Sequence, residues 1–295
     1  MLKAYASVMT TSQNALRHDV LVSDLAPVAD PTPVPDGSPA LWQAMSHTLV
    51  YGPTSAALVD PPITAAQTAA LADWIAAHGR RLEYIYITHW HGDHWLGTGD
   101  LLKRFPEATV LAGPATAHRV NDLVAEGQAP PFFTSLFPGQ ISDAATEITV
   151  EEVPADGFLL DGHHLVSVEV GHSDTDDSTV LHVPSTGLVA AGDVVYNNVH
   201  QFLAETPNGG FDAWLNALDT VAALDPRFVV AGHKDARRND APSDIDETRR
   251  YLEATRDLLE ARPTRQEFFR RTLELFPERV NPYIVWVGAQ RLIAE

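Results

Sequence analysis

Short apolar runs and longer amphipathic stretches follow one another along this chain, and their periods predict its elements. HTLVYG (47–52) and AALVDP (56–61) read as two strands joined by a Gly-Pro turn, the second ending at Asp60. A helix follows: Thr64 and Gln67 form a capping box, Leu71, Trp74, Ile75 and His78 share one face, and Gly79 is placed to end it. LEYIYIT (82–88) is too short and too rich in aromatic and β-branched residues for a helix, so it predicts a buried strand running straight into His89. Helical patterns recur at about 98–105 and 114–126, the latter opening at Pro114 and closing at Gly127, with TVLAG as a strand between them.

From 147 to 195 the pattern is one of strands: EITVEEV, GFLL, HHLVSVEV, STVLHV and GLVAAGDVV, broken by turns at Asp161-Gly162 and Ser185-Thr186-Gly187. Residues 211–224 form an amphipathic helix, RFVVAGH (227–233) a buried strand ending in His, and 243–293 helices separated near Pro263 and Pro277. Mixed strands and helices in both halves predict an α/β fold of two sheets packed face to face and covered by helices. We expect a single domain over 1–295, with an irregular Pro-rich N-terminal segment (1–45), a sandwich core at about 46–235 and a helical tail at about 243–293.

Composition narrows the chemistry. The 295 residues are 45% hydrophobic and 20% charged, as in globular domains, and no apolar run nears the roughly 20 residues that span a bilayer. The N-terminus lacks a signal-peptide pattern, so a soluble, cytoplasmic protein is expected. A net charge of −19 repels nucleic acid and anionic membranes and leaves a small molecule as the expected partner. With no Cys, any metal must be held by nitrogen and oxygen, and the 13 His make their clustering informative.

That clustering is local. Thr88-His89-Trp90-His91-Gly92-Asp93-His94 sets three imidazoles and a carboxylate at the end of a buried strand. Alternation places His89 and His91 on one side of the chain, and Gly92 lets it turn so that Asp93 and His94 face a second point, the geometry of one cation per pair. Two closed coordination shells need more ligands, and three other strands end suitably: at Gly171-His172, at Gly192-Asp193 and at Gly232-His233.

In this order and context the residues resemble the metallo-β-lactamase-fold superfamily, over roughly 46–235. The resemblance implies an αββα sandwich with a dinuclear centre at one edge. It implies His89, His91 and His172 on a first metal, Asp93, His94 and His233 on a second, Asp193 bridging, and Asp60 supporting a ligand His. Two zinc ions suit the donors, and manganese, iron or cobalt is compatible with them. Such a pair lowers the pKa of a shared water from 15.7 toward roughly 7 and so supplies hydroxide for hydrolysis, with Asp93 passing the proton to the leaving group.

Within that superfamily, Asp193 stands where β-lactamases generally carry Cys or Ser and is similar to the lactonase, thioesterase, phosphodiesterase and sulfatase branches. Tyr196, three residues on, matches the spacing of acyl-homoserine lactonases, where a phenol is thought to help bind the carbonyl oxygen. His200 is a pocket candidate, Phe132, Phe133 and Phe137 form either an apolar lid or a satellite core, and Lys234 is a candidate for greeting a carboxylate. The acids of SDTDDS (173–178) read as a polar turn supporting the site rather than as additional ligands. The function expected is opening of an ester, lactone or thioester. The alternatives are a phosphodiesterase or sulfatase on the same metals, disfavoured by only three Lys and no basic cluster, and an iron-dependent oxidoreductase similar to persulfide dioxygenases. The helical tail either caps its own domain or forms a homodimer interface.

Overall fold

The computed structural model describes residues 15–127, 129–207 and 209–294. In chain order its first half runs β1 (Arg17–Val22), β2 (Ala26–Pro27), β3 (Leu41–Trp42), β4 (Ser46–Tyr51), β5 (Ser55–Val59), α1 (Ala65–Ala77), β6 (Arg81–Ile87), α2 (Thr98–Arg104), β7 (Thr109–Ala112), α3 (Pro114–Ala125), α4 (Pro131–Leu136) and β8 (Glu151–Glu152). The second half runs β9 (Phe158–Leu160), β10 (His163–Gly171), β11 (Ser178–Val183), β12 (Leu188–Asn197), α5 (Gly210–Ala223), β13 (Phe228–Lys234), α6 (Ser243–Glu260), α7 (Arg265–Leu275) and α8 (Pro282–Leu292). The first sheet has the order β1-β4-β5-β6-β7-β8 and the second β13-β12-β11-β10-β9. Both are mixed: β5 to β8 run parallel and so do β12 and β13, while the remaining neighbours are antiparallel.

The two-residue alternation of the strands sorts their side chains into layers. Ala57 and Val59 of β5 share one apolar cluster with Leu181, Val183, Leu188 and Val230 of the second sheet, which is therefore the layer between the sheets. Ala56 and Leu58 point the other way and join Leu71 and Ile75 of α1. Each buried Leu, Ile or Val contributes about 1.5–3 kcal/mol of transfer free energy. Tyr86 of β6 crosses the middle layer, where its hydroxyl meets Ser167 Oγ at 2.6 Å and Thr179 Oγ1 at 2.7 Å, so its polar end is satisfied inside the core. The capping box of α1 is present: Thr64 accepts from Gln67 N–H and Gln67 from Thr64 N–H. Together these layers make the αββα sandwich.

Three segments differ from the sequence reading. The N-terminal part, expected to be irregular, contains β1, which pairs antiparallel with β4 from Arg17↔Tyr51 to Val22↔Ser46; as an edge strand it is half exposed and carries no strong apolar signal. EITVEEV yields only the two-residue β8. Residues 130–138, which carry Phe132, Phe133 and Phe137 between the predicted elements, hold the short helix α4, with Pro131 in its first turn. The tail caps its own sandwich: Phe268, Phe269, Tyr283, Ile284 and Val287 are buried in the same cluster as Trp42, Leu58 and Val195. No helix among the described residues is long and apolar enough to cross a membrane.

Candidate metal centre

The site lies where strands of both sheets end. β6 stops at Ile87, the chain turns through Thr88–Trp90, and a 3-10 turn (Gly92–His94) brings Asp93 and His94 round to the same point as His89. From the second sheet come Asp193, within β12, and His233, near the end of β13. Glycines permit this convergence. Gly192 has φ +49, and a Cβ there would sit 2.5 Å from Thr88 Oγ1; a Cβ on Gly232 would overlap Asp193 Oδ1.

Six predicted ligands meet in one buried cleft. His94 Nε2 lies 3.3 Å from Asp193 Oδ1 and 3.8 Å from Asp93 Oδ2, and His233 Nε2 lies 3.2 Å from Asp193 Oδ2 and 3.3 Å from Asp93 Oδ2. The rings of His89 and His94 are 4.0 Å apart, and those of His89 and His91 4.9 Å. Three groups have ligand atoms close enough to share an ion: His89, His94 and Asp193; Asp93, His94 and His233; and His89, His91 and Asp174.

The outer nitrogens settle the tautomers. His94 Nδ1 faces Asp60 Oδ2 at 2.9 Å and His89 Nδ1 faces Thr88 Oγ1 at 3.0 Å, while that hydroxyl donates to Asp60 Oδ2 at 2.8 Å. His233 Nδ1 faces the Ala44 carbonyl at 3.2 Å, and His91 Nε2 faces Glu205 Oε1 at 3.1 Å. Each ring therefore donates a proton outward and turns its other nitrogen into the cleft, as metal-binding imidazoles do. His89 Nε2, His94 Nε2 and Asp193 Oδ1 are buried without a well-aligned hydrogen-bond partner among the described residues. Unsatisfied polar atoms of this kind are costly, and their convergence fits divalent cations held by nitrogen and oxygen.

The charges agree. Burial opposes a charged ring at His91, but Asp174 and Glu205 outweigh it and raise the pKa to about 10; at His233, Asp193 and Asp93 likewise raise it to about 9. His94 is held well above its ordinary value by Asp193, Asp60 and Asp93 despite burial. His89 goes the other way, lowered by burial and then by His94 and His91. Burial pushes Asp174 up even against His91. Without metal the cleft holds protons that a cation would displace.

The family model of the metallo-beta-lactamase superfamily matches residues 45–233, the span that carries this cleft. The chain belongs to that superfamily. A metallo-beta-lactamase type 2 of Bacteroides fragilis is 28% identical over 197 residues, 63% of this chain and 68% of the relative. A hydroxyacylglutathione hydrolase of Acidiphilium cryptum (strain JF-5) is 30% identical over 197 residues, 66% of either chain. This chain thus spans about two thirds of the length of these two relatives. Among solved structures, a metallo-beta-lactamase family protein from Thermus thermophilus matches with a TM-score of 0.59 and 21% identity, covering 91% of both chains. The metallo-beta-lactamase from Pontibacter korlensis matches with a TM-score of 0.56 and 19% identity, over 80% of this chain and 99% of its own. Identities this low speak for the fold alone.

Against this superfamily pattern, four predicted residues stand elsewhere. His172 is outside the cleft: its Nδ1 faces Asp176 Oδ1 at 2.7 Å, and its Nε2 points at Gly210, where a Cβ would come within 2.7 Å. Gly171, at φ +81, turns the chain so that His172 leaves the strand end and Asp174 enters instead. Tyr196 is buried behind the centre, its hydroxyl donating to Asp193 Oδ2 at 2.7 Å, so it holds a carboxylate instead of facing the pocket. His200 packs inward against α6, with Nδ1 3.1 Å from Tyr251 Oη, and Lys234 is buried in an ion pair with Asp240. Asp60, at φ +56, accepts from Thr88 N–H and faces His94 Nδ1.

Phe132 and Phe133 line the pocket over the cleft with Trp42, Trp90 and Phe202. Phe137 is buried behind them, its ring 6.3 Å from that of Trp42, so this stretch is core on one side and pocket wall on the other. Sequence reasoning missed Trp42, whose Nε1 donates to Asp93 Oδ2 at 2.9 Å, and Glu205. Neither lies in a motif. Asp174, from the acid-rich turn expected to support the site, has Oδ2 2.8 Å from His91 Nδ1.

Proposed function

We propose that this member of the superfamily is a dinuclear metal-dependent hydrolase, with zinc as the expected ion, that cleaves an ester, lactone or thioester of a small, largely apolar acyl compound. The observation that carries this reading is the pocket: its aromatic wall stands directly over the buried imidazoles and carboxylates, and its lining offers one guanidinium, Arg291, and no lysine among the described residues. A phosphodiester or sulfate ester brings a permanent anion that such sites meet with several Arg or Lys, whereas an acyl group needs apolar walls. The likeness to a hydroxyacylglutathione hydrolase supports acyl chemistry too.

When bound, a pair of divalent cations polarises a carbonyl oxygen and makes water acidic near neutral pH. His89 and His91 would hold one cation and Asp93, His94 and His233 the other, with Asp193 shared between them. Trp42 fixes the Asp93 carboxylate by one oxygen and leaves it at the pocket floor, able to take a proton and return it to the leaving oxygen or sulfur. Tyr196 keeps Asp193 turned toward the imidazoles. The aromatic wall excludes water from the acyl chain, and Arg291, lying 5.5 Å over the Phe132 ring, guards the mouth.

The test is a panel of thioesters, lactones, aryl esters, phosphodiesters and β-lactams, run with the purified full-length protein and with metal content measured on the same sample. Acyl substrates should lead by kcat/KM. A phosphodiester or β-lactam ahead of every ester, lactone and thioester would overturn the proposal.

A further inference from the structure

We propose that Asp174, and not His172, is the third protein ligand of the first cation, so that half of the centre is a two-imidazole, one-carboxylate site; this rests on the metal centre of the proposed function. Asp174 is fully buried, and its Oδ2 lies 2.8 Å from His91 Nδ1 and 3.6 Å from His89 Nε2. Its other oxygen accepts from Ser173 Oγ at 3.0 Å, so the carboxylate is oriented with Oδ2 turned toward the two imidazoles. The loop that carries it is tied down. Thr175 Oγ1 donates to Glu205 Oε2 at 2.7 Å and accepts from Trp90 Nε1 at 3.0 Å, and Glu205 in turn orients His91. His172 lies apart from both imidazoles: its Nδ1 is engaged by Asp176, and its Nε2, also buried without a hydrogen bond among the described residues, faces the start of α5.

The substitution changes the chemistry of the site. Across both positions the donors are four imidazoles (His89, His91, His94, His233) and three carboxylates (Asp93, Asp174, Asp193). An anionic oxygen in place of a neutral nitrogen favours harder cations, so the first position discriminates less strongly for zinc over manganese than a three-imidazole site would. The apparent ratio of manganese to zinc affinity is therefore a property that Asp174 sets.

The experiment titrates the metal-stripped full-length protein with Zn(II), Mn(II) and Co(II), for the wild type, Asp174→Ala, Asp174→Asn, Asp174→His and His172→Ala. The wild type and His172→Ala should each bind two equivalents of Zn(II). Losing a ligand costs at least as much as losing a ligand's orienting partner, so Asp174→Ala should weaken one equivalent by about 10–100-fold or more. Asp174→Asn, which keeps the shape of the buried group, should also weaken it, and covers the case in which the Ala variant does not fold. Asp174→His should keep two equivalents while its manganese-to-zinc affinity ratio falls by about tenfold, with a changed visible spectrum in the Co(II) form. Loss of an equivalent in His172→Ala, or wild-type binding in Asp174→Asn, would overturn the assignment, and an unchanged ratio in Asp174→His would overturn its consequence for metal choice. Because these readouts need no turnover, failure of the substrate panel with this metal pattern intact would sink the proposed reaction alone.

Discussion

Asp60→Asn tests the network that aims the imidazoles. One carboxylate oxygen takes both the His94 Nδ1 proton and the Thr88 hydroxyl, and that hydroxyl in turn accepts from His89 Nδ1, so a single anion sets two tautomers and frees both Nε2 atoms for the cleft. Asn is nearly the same size and tolerates the positive φ of this position, and the Asp60 backbone remains tied to Tyr86 O and His47, so the fold should persist. In one orientation the amide donates to His94 Nδ1, which drives its proton to Nε2, the wrong nitrogen for a cation. In the other it opposes the Thr88 N–H with a second donor. Either arrangement costs about 1–3 kcal/mol, which is about 5–150-fold in affinity. Competition with a chromophoric chelator on the metal-stripped protein reads that loss directly, and circular dichroism melting controls for folding. Zinc affinity within about twofold of wild type, with folding intact, would refute the reasoning, because the tautomers would then be held by something other than Asp60.

Two further outcomes follow from the packing. Burial, with Arg279 adding to it, lowers His200 from 6.5 to about 3, so the folded state keeps a neutral ring while the unfolded chain takes a proton at 6.5. Stability is then fully present above pH 6.5 and is lost as pH falls toward 3, by roughly 4–5 kcal/mol at the acid end; denaturant unfolding of His200→Gln should show a shallower decline between pH 6.5 and 4, and parallel curves would reject the account. At Gly232, a methyl group would overlap Asp193 Oδ1 and come within 2.8 Å of the Gly192 carbonyl carbon, so Gly232→Ala should lose about 1–3 kcal/mol and weaken metal binding together; a variant with the melting temperature and metal content of the wild type would show that β12 and β13 can separate freely.

Much of the candidate centre was legible along the chain because its residues sit where local rules apply. Crowding and alternation in Thr88–His94, with the turn at Gly92, pointed to His89, His91, Asp93 and His94; strands that end at a glycine pointed to Asp193 and His233, and the same rule also offered His172. The same periodicities carried the sandwich and the helical tail, and the short Thr64 to Gln67 interval marked the start of α1. These features depend on residues within a few positions of one another, so the sequence alone determines them.

What tertiary structure decided is where a loop's path selects among candidates. His172 and Asp174 are two residues apart, and which of them faces His89 and His91 follows from the left-handed turn at Gly171 and from Trp90 and Glu205, which hold Thr175 from distant parts of the chain. Trp42 reaches Asp93 across 51 positions. Tyr196 and His200 follow Asp193 closely, yet the packing of α5 and α6 on β12 turns both inward, away from the pocket. A side chain's orientation in such places is fixed by which partner it finds across the fold, and no spacing along the chain encodes that.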